Sequence, residues 1–190
     1  MVPGMSPEIN LPATVLRAHD VVFDYPNRQF TIGEPGTVPF IGRPSKAQIS
    51  SLGRIQIASQ IVGQTYNLAL DTGASMSFIS GKLLSNWHAH PAWPFMTGAV
   101  DAANVFGTPD ETERFVLRLP SLLYGTSSLN QVSIASFTPN LREKFKQRAG
   151  TETVGLLGGD AFRNCRVGMT TPTARFTSIS SARLPRRTCA

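Results

Sequence analysis

The chain is short of several things, and each shortage removes a class of function. It has only 2 cysteines, Cys165 and Cys189, so it carries no disulfide framework and no Cys-based metal site. Cys165 stands among strand-like residues and reads as a small buried side chain. No apolar run approaches the roughly eighteen residues that a membrane helix needs. The opening stretch Met1-Val-Pro-Gly-Met-Ser-Pro-Glu8 has neither a positive segment nor an apolar one behind it, so no signal peptide is read there. The compartment stays open, with the cytoplasm as default. Net charge is +6, from 18 Lys and Arg against 12 Asp and Glu. The basic residues are scattered except at Arg142–Arg148 and in the tail Arg183-Leu-Pro-Arg-Arg187. No aromatic residues interleave with them, and nucleic acid is not the expected partner.

What the chain does have is 16 glycines, 14 prolines and 41% apolar residues in many short runs. That favours a turn-rich, mostly β protein with a packed core over a helical bundle, as one domain with an appendage. The most informative stretch is Leu68-Ala-Leu-Asp-Thr-Gly-Ala-Ser75. An apolar strand, Tyr66 to Leu70, ends in a carboxylate, although Asp is a poor strand former and is costly to bury unpaired. Gly73 permits a tight reversal, and Thr72 adds a hydroxyl. A second apolar run starts at Phe78-Ile79. Taken alone, Asp-Thr-Gly is equally a turn between two strands. Upstream, Ile55 to Leu70 alternates apolar and polar on both sides of Gly63-Gln64, as a β-hairpin does. Downstream lies Val154-Gly-Leu-Leu-Gly-Gly-Asp160-Ala-Phe162.

Together these motifs resemble the aspartic proteases, closest to the retroviral-type (retropepsin) branch, over about Ser50 to Ser180. The resemblance implies a single-lobe, retropepsin-like closed β-barrel with one or two short helices. It implies Asp71 as the catalytic carboxylate, with Thr72, Gly73, Ala74 and Ser75 forming the active-site loop. Leu157 and Gly158 are then the apolar–Gly landmark that threads beneath that loop. Asp160 reads as a helix cap. A flap over the substrate is expected within Thr97 to Arg114, although the Gly-rich tip of retroviral flaps is missing there.

Hydrolysis by carboxylates needs two of them sharing one proton, and this sequence has one Asp-Thr-Gly. Asp20, Asp24, Asp101, Asp110 and Asp160 all lack the Thr/Ser-Gly that should follow. The implied partners are a polypeptide substrate and either a second copy of the chain, as in the retroviral homodimers, or an upstream lobe that brings the second Asp. No metal and no cofactor are expected. His88 and His90 are two apart, which on a helix does not bring them face to face, and they read as polar residues at a helix C-terminus. The alternative function is a non-catalytic module of the same fold, binding peptide by strand addition or serving as a structural lobe.

The organisation read along the chain is a hairpin and linker over 1–45, the retropepsin-like domain over 46–182 and a basic tail over 183–190. Residues 1 to 13 are Pro-rich and polar, and read as loosely ordered. Val15 to Ile32 reads as strand, Asp-Tyr-Pro-Asn turn and returning strand, followed by linker at Gly33–Gly36 and Gly42–Ser45. Strands are expected at Phe115–Leu119, Ser121–Tyr124 and Val132–Phe137. Helices are expected near Gly81–His90 and over Asn140–Ala149, the second capped by Asn140. Shifting Leu16–Thr31 by 146 residues lays it on Phe162–Thr177 with five identities, at Arg17, Val21, Pro26, Phe30 and Thr31. This suggests one supersecondary unit used twice. In the family it resembles, such a unit closes a lobe, so the N-terminal copy is either the tail of a preceding lobe or an ordinary hairpin pairing with the sheet.

Overall fold

The computed structural model describes residues 13–42, 44–50, 54–89, 93–100, 112–125, 127–150, 153–170 and 175–180. A one-turn helix α1 (Ala13–Leu16) leads into a hairpin of β1 (Asp20–Asp24) and β2 (Gln29–Gly33). Its turn is the expected Asp-Tyr-Pro-Asn, closed by the Asn27 amide donating to Asp24 Oδ1 at 3.1 Å. Two short strands follow, β3 (Pro44–Lys46) and β4 (Gln48–Ile49). Pro44 and Ser45, read as linker, are therefore strand residues, and the 45/46 boundary falls inside β3. A sheet-edge position explains how a strand can hold a proline, since no ladder bond is asked of its nitrogen.

The central hairpin is β5 (Ile55–Ile61) and β6 (Gln64–Leu70), in register from Gln56↔Ala69 to Ile61↔Gln64. Its turn residues are Val62 and Gly63, both at positive φ, one position earlier than the sequence suggested. That is the two-residue hairpin geometry favoured by strand twist, and it tolerates an exposed β-branched residue at some cost. Then come β7 (Ser77–Ile79), α2 (Gly81–His88), β8 (Phe95–Val100), β9 (Thr112–Tyr124) and β10 (Ser127–Ser136). The two strands expected between Phe115 and Tyr124 are one continuous β9. The β9–β10 ladder passes from Leu119↔Val132 to Ser121↔Asn130 and skips Pro120, which has no N–H to give. The chain ends with α3 (Pro139–Ala149), β11 (Thr153–Leu157), the one-turn α4 (Gly159–Phe162), β12 (Cys165–Thr170) and β13 (Arg175–Ser180).

Ser80 caps α2 through its side chain, and Leu84 and Trp87 are buried. Thr138, not Asn140, caps α3: its Oγ1 accepts from the Leu141 amide at 3.3 Å and Pro139 opens the helix. This helix is not only a solvated charge run. Phe145 and Ala149 are buried, and Phe145 stacks on Phe137 at 4.8 Å between ring centroids. Two single-turn helices join these: α4 lies where a helix start was read at Asp160, and α1 takes Val15 and Leu16 out of the strand expected there.

The fold is mostly β. Strands β5, β6, β11, β7, β10 and β9 form a closed six-stranded barrel, sealed by Gln60 of β5 opposite Leu123 of β9, with β4 and β8 flanking it. Alternate residues point inward: Ile57 and Ile61 of β5, Leu117 and Leu119 of β9, and Val132 and Ile134 of β10 are all buried in the barrel core with Leu68 and Phe162. A second apolar cluster, Phe78, Val116, Phe137, Phe145 and Leu156, lies under α3. The remaining strands make a separate five-stranded sheet in the order β2-β1-β12-β13-β3.

Candidate active site

The site follows from one topological fact. Strand β11 is inserted between β6 and β7, parallel to β6 and antiparallel to β7. Residues 71–76, which join β6 to β7, must therefore cross the end of β11. Leu70 lies opposite Leu157 in the β6–β11 register. One step on, the Asp71 amide donates to the Leu157 carbonyl at 3.0 Å. The loop then folds back on itself, with the Ala74 amide donating to the Asp71 carbonyl at 3.1 Å. It is tied down from below by the Gly159 amide, which donates to the Ala74 carbonyl at 2.7 Å.

Gly158 makes the crossing possible. A Cβ there would run into the Met76 carbonyl oxygen and stand 2.8 Å from the Ala74 carbonyl oxygen, both of them backbone. Its own amide donates to Ser77 Oγ at 3.0 Å, and Ser77 Oγ donates to Asp160 Oδ1 at 2.8 Å. Asp160 is therefore not the cap of α4. Gly158 occupies that position, and Asp160 sits within the turn as the acceptor that orients Ser77. Burial pushes the Asp160 carboxyl above the usual aspartate range, against the opposing pull of the Ser77 hydroxyl.

Of the residues singled out from sequence, Asp71, Ala74 and Leu157 are joined directly by these bonds, and Gly158 packs against the loop backbone and bonds Ser77. Asp71 and Thr72 are half-buried, and Gly73 and Ser75 are exposed. A hypothetical Cβ on Gly73 would stand 3.5 Å from Asp71 Oδ1, so the glycine leaves the carboxylate an open side.

No family model matches the chain. No curated protein sequence matches it. Among solved structures, it is similar to a retropepsin-like aspartic protease from Rickettsia conorii, with 12% identity and a TM-score of 0.42 over 72% of this chain and 89% of that one. Likeness at that level decides nothing about the site, which stands on its own geometry.

Two contributors escaped the sequence reading. Ser77 looks like any strand serine, and its partners lie more than eighty residues away. Tyr25 comes from the tip of the β1–β2 hairpin. Its ring stacks on Phe162 at 6.4 Å, and its hydroxyl lies 3.6 Å from where a Cβ on Gly159 would stand. Burial pushes its pKa up to about 12, helped by the negative charges of Asp71 and Asp160. Among the described residues, the buried Tyr25 Oη has no hydrogen-bond partner.

The remaining sequence candidates lie elsewhere. The ring of His88 stands edge-on to Phe95 and Phe115, each at 4.4 Å, and His90 lies outside the described residues. Among the described residues no group of three or more His, Cys, Asp or Glu is placed to hold a metal. Nor is any helix there long and apolar enough to cross a membrane. Cys165 is buried, and its thiol is pushed up by burial. The flap candidate begins and ends in an antiparallel hairpin, Thr97↔Phe115 to Val100↔Thr112, while 101–111 lies outside the described residues.

Proposed function

We propose that the protein is an aspartic endopeptidase of retropepsin-like build, in which Asp71 is one of two carboxylates that activate a water against a peptide bond. The observation that carries this reading is the crossing itself: a carboxylate presented at the end of β6, its amide fixed by Leu157, over a strand whose Gly158 admits the loop. A simple hairpin turn needs none of this. In the proposal Thr72, Gly73, Ala74 and Ser75 shape the loop, and Leu157 and Gly158 support it from below. The domain begins with β3 (Pro44–Lys46) and runs to 182, with the α1–β1–β2 unit as the closing part of a preceding lobe and 183–190 as a basic tail. The substrate is a polypeptide.

The chemistry requires a second carboxylate facing Asp71, from a dimer mate or another lobe. With the two close together, one proton is shared. The ionised member takes a proton from the attacking water, and the protonated member donates to the carbonyl oxygen. Like charges push the two macroscopic pKa values apart, so the rate should follow a bell centred below neutral pH.

The test is peptidase activity of wild type and Asp71→Asn, each as the 190-residue chain over a range of concentrations and as the polypeptide lengthened by the residues encoded ahead of it. An amide keeps the shape of the side chain but cannot accept the water's proton. Activity should fall by about four orders of magnitude or more, with the unfolding curve unchanged. Full activity of Asp71→Asn would end the reading. A wild-type rate that falls faster than linearly on dilution would assign the second carboxylate to another copy.

A further inference from the structure

Where α3 packs against the start of β11, a cavity of about 120 Å³ is left open. Strand β11 begins there with Thr153 and Val154 and ends at Leu157, whose carbonyl holds the Asp71 amide. Four steps at a strand rise of about 3.3 Å put the two ends roughly 13 Å apart, so the cavity is separate from the candidate active site. Its floor is apolar, made by Phe137, Phe145 and Val154. The two phenylalanines stack on each other at 4.8 Å and are only 8% and 6% exposed, so packed rings set the shape of the floor.

The rim is cationic and rich in donors. Arg142 and Lys146 lie four apart on α3, on one face of the helix, and both line the cavity. Among the described residues Arg142 makes no ion pair. Lys146 holds Glu143 at 3.2 Å, but both side chains are well exposed, and such a pair is weak and easily exchanged. Ser80 Oγ accepts from the Leu83 amide at 3.4 Å and keeps its own hydrogen for another partner. Thr153 differs. Its hydroxyl donates to the Ala149 carbonyl at 3.0 Å, so it offers a ligand no donor. Three donors, two of them positive, therefore line a small apolar hollow, and among the described residues no acidic side chain lines it.

We propose that this cavity binds a monocarboxylate with a short, branched apolar body. The carboxylate takes Arg142 through the fork of its planar guanidinium, and Lys146 and Ser80 Oγ complete its shell. The body lies on Phe137, Phe145 and Val154 and loses its contact with water. Size limits the ligand: an apolar cavity of about 150 Å³ takes one benzene, so this smaller one admits neither a nucleotide nor a peptide segment. Charge limits it too, because one unpaired cation and one shared cation suit a single negative charge. Inorganic phosphate brings charge but nothing to cover the floor, and a neutral amide of the same shape leaves the guanidinium without its anion. The bound ligand bridges α3, Ser80 and the start of β11, where the Ser80 amide donates to the Val154 carbonyl at 3.2 Å. The site does not depend on the chemistry of Asp71.

The experiment is a titration of the 190-residue chain with isovalerate, followed by amide chemical shifts. The amides of Ser80, Lys146, Thr153 and Val154 should move together and saturate, with a Kd of about 1 mM or below. Arg142→Gln changes an exposed position and should weaken binding by about tenfold or more, with the unfolding curve unchanged. Lys146→Gln should weaken it by less, because Glu143 already shares that charge. Asp71→Asn should bind isovalerate as the wild type does. Five results would overturn the proposal: shifts that never saturate, equal affinity for isovaleramide, equal affinity for inorganic phosphate, unchanged affinity in Arg142→Gln, or loss of binding in Asp71→Asn. The third would mean attraction of any anion to α3, and the last would move the ligand to the candidate active site.

Discussion

The two helix-and-hairpin units, 13–33 and 159–180, have one-turn helices of equal length and the same strand registers, but different surroundings. Phe162 closes the inner unit's helix and is fully buried in the barrel. Its counterpart Leu16 is half-exposed. Gly168 lets Phe40 pack where a Cβ would collide with it, and stands opposite the buried Thr177. Its counterpart Val22 fills its own space and stands opposite the exposed Thr31. What the units share is the strand pairing, whose registers coincide under the offset. Burial is set by neighbours, and the outer unit lacks them on one side. The likeness also has a limit in sequence. The residue 146 positions ahead of Gly158 is Pro12, so the Gly of that landmark is not repeated in the sequence.

The largest expected difference tests burial directly. Phe162→Ala should cost about 3–5 kcal/mol of stability, as an aromatic ring removed from a packed core does. Leu16→Ala, at the equivalent position, should cost about 1 kcal/mol or less. Urea unfolding of both variants measures the gap, and equal costs would mean that α1 is as well packed as α4. Next in size is Gly158→Ala. The obstruction is backbone rather than a side chain that can swing away, so a loss of about 1–3 kcal/mol is expected, with more rapid amide exchange at Asp71 and Ala74.

A smaller effect depends on pH. The folded state raises the Asp160 carboxyl above its unfolded value, so it holds that proton more tightly than the unfolded chain does. The contribution to stability is therefore fully present in acid, below the ordinary aspartate range, and is lost as pH rises through the raised value. Asp160→Asn keeps an oxygen for the Ser77 hydroxyl and removes the titration. Its stability should be flatter across that window and equal to or above wild type at neutral pH, as thermal unfolding at several pH values would show. The smallest effect is expected at the hairpin tip. Tyr25→Phe removes a buried hydroxyl that has no partner among the described residues, so stability should stay level or rise by up to about 1 kcal/mol. A clear loss would reveal a hydroxyl partner outside those residues.

Much of this arrangement was legible in the sequence because it is local. The alternation of Ile55 to Leu70, the carboxylate at the strand end and the helix carrying Leu84 and Trp87 all follow from residues near one another. What escaped is set by distant pairing. Nothing around Val154–Leu157 says that β11 inserts between β6 and β7, and only that insertion brings Ser77, Gly158 and Asp160 together. Pro44 and Pro120 read as breakers because a proline cannot donate a ladder bond. The sheet edge at β3 and the skipped rung in β9 remove the need for that bond. The Thr138 cap was available as a Thr-Pro pair at a helix start, but Asn140 two residues on is also a good capping type and drew the boundary inward.

The central claim is that Asp71 is half of a carboxylate pair, and affinity for a mimic of the tetrahedral intermediate tests it most directly. A peptide analogue with a hydroxyl-bearing tetrahedral carbon in place of the scissile carbonyl should bind the assembled wild-type protein at mildly acidic pH. Calorimetry should show that binding weakened by about two orders of magnitude or more in Asp71→Asn, because the analogue's hydroxyl then meets an amide instead of a shared proton. Equal affinity for the two proteins, or tighter binding to Asp71→Asn, would contradict the account.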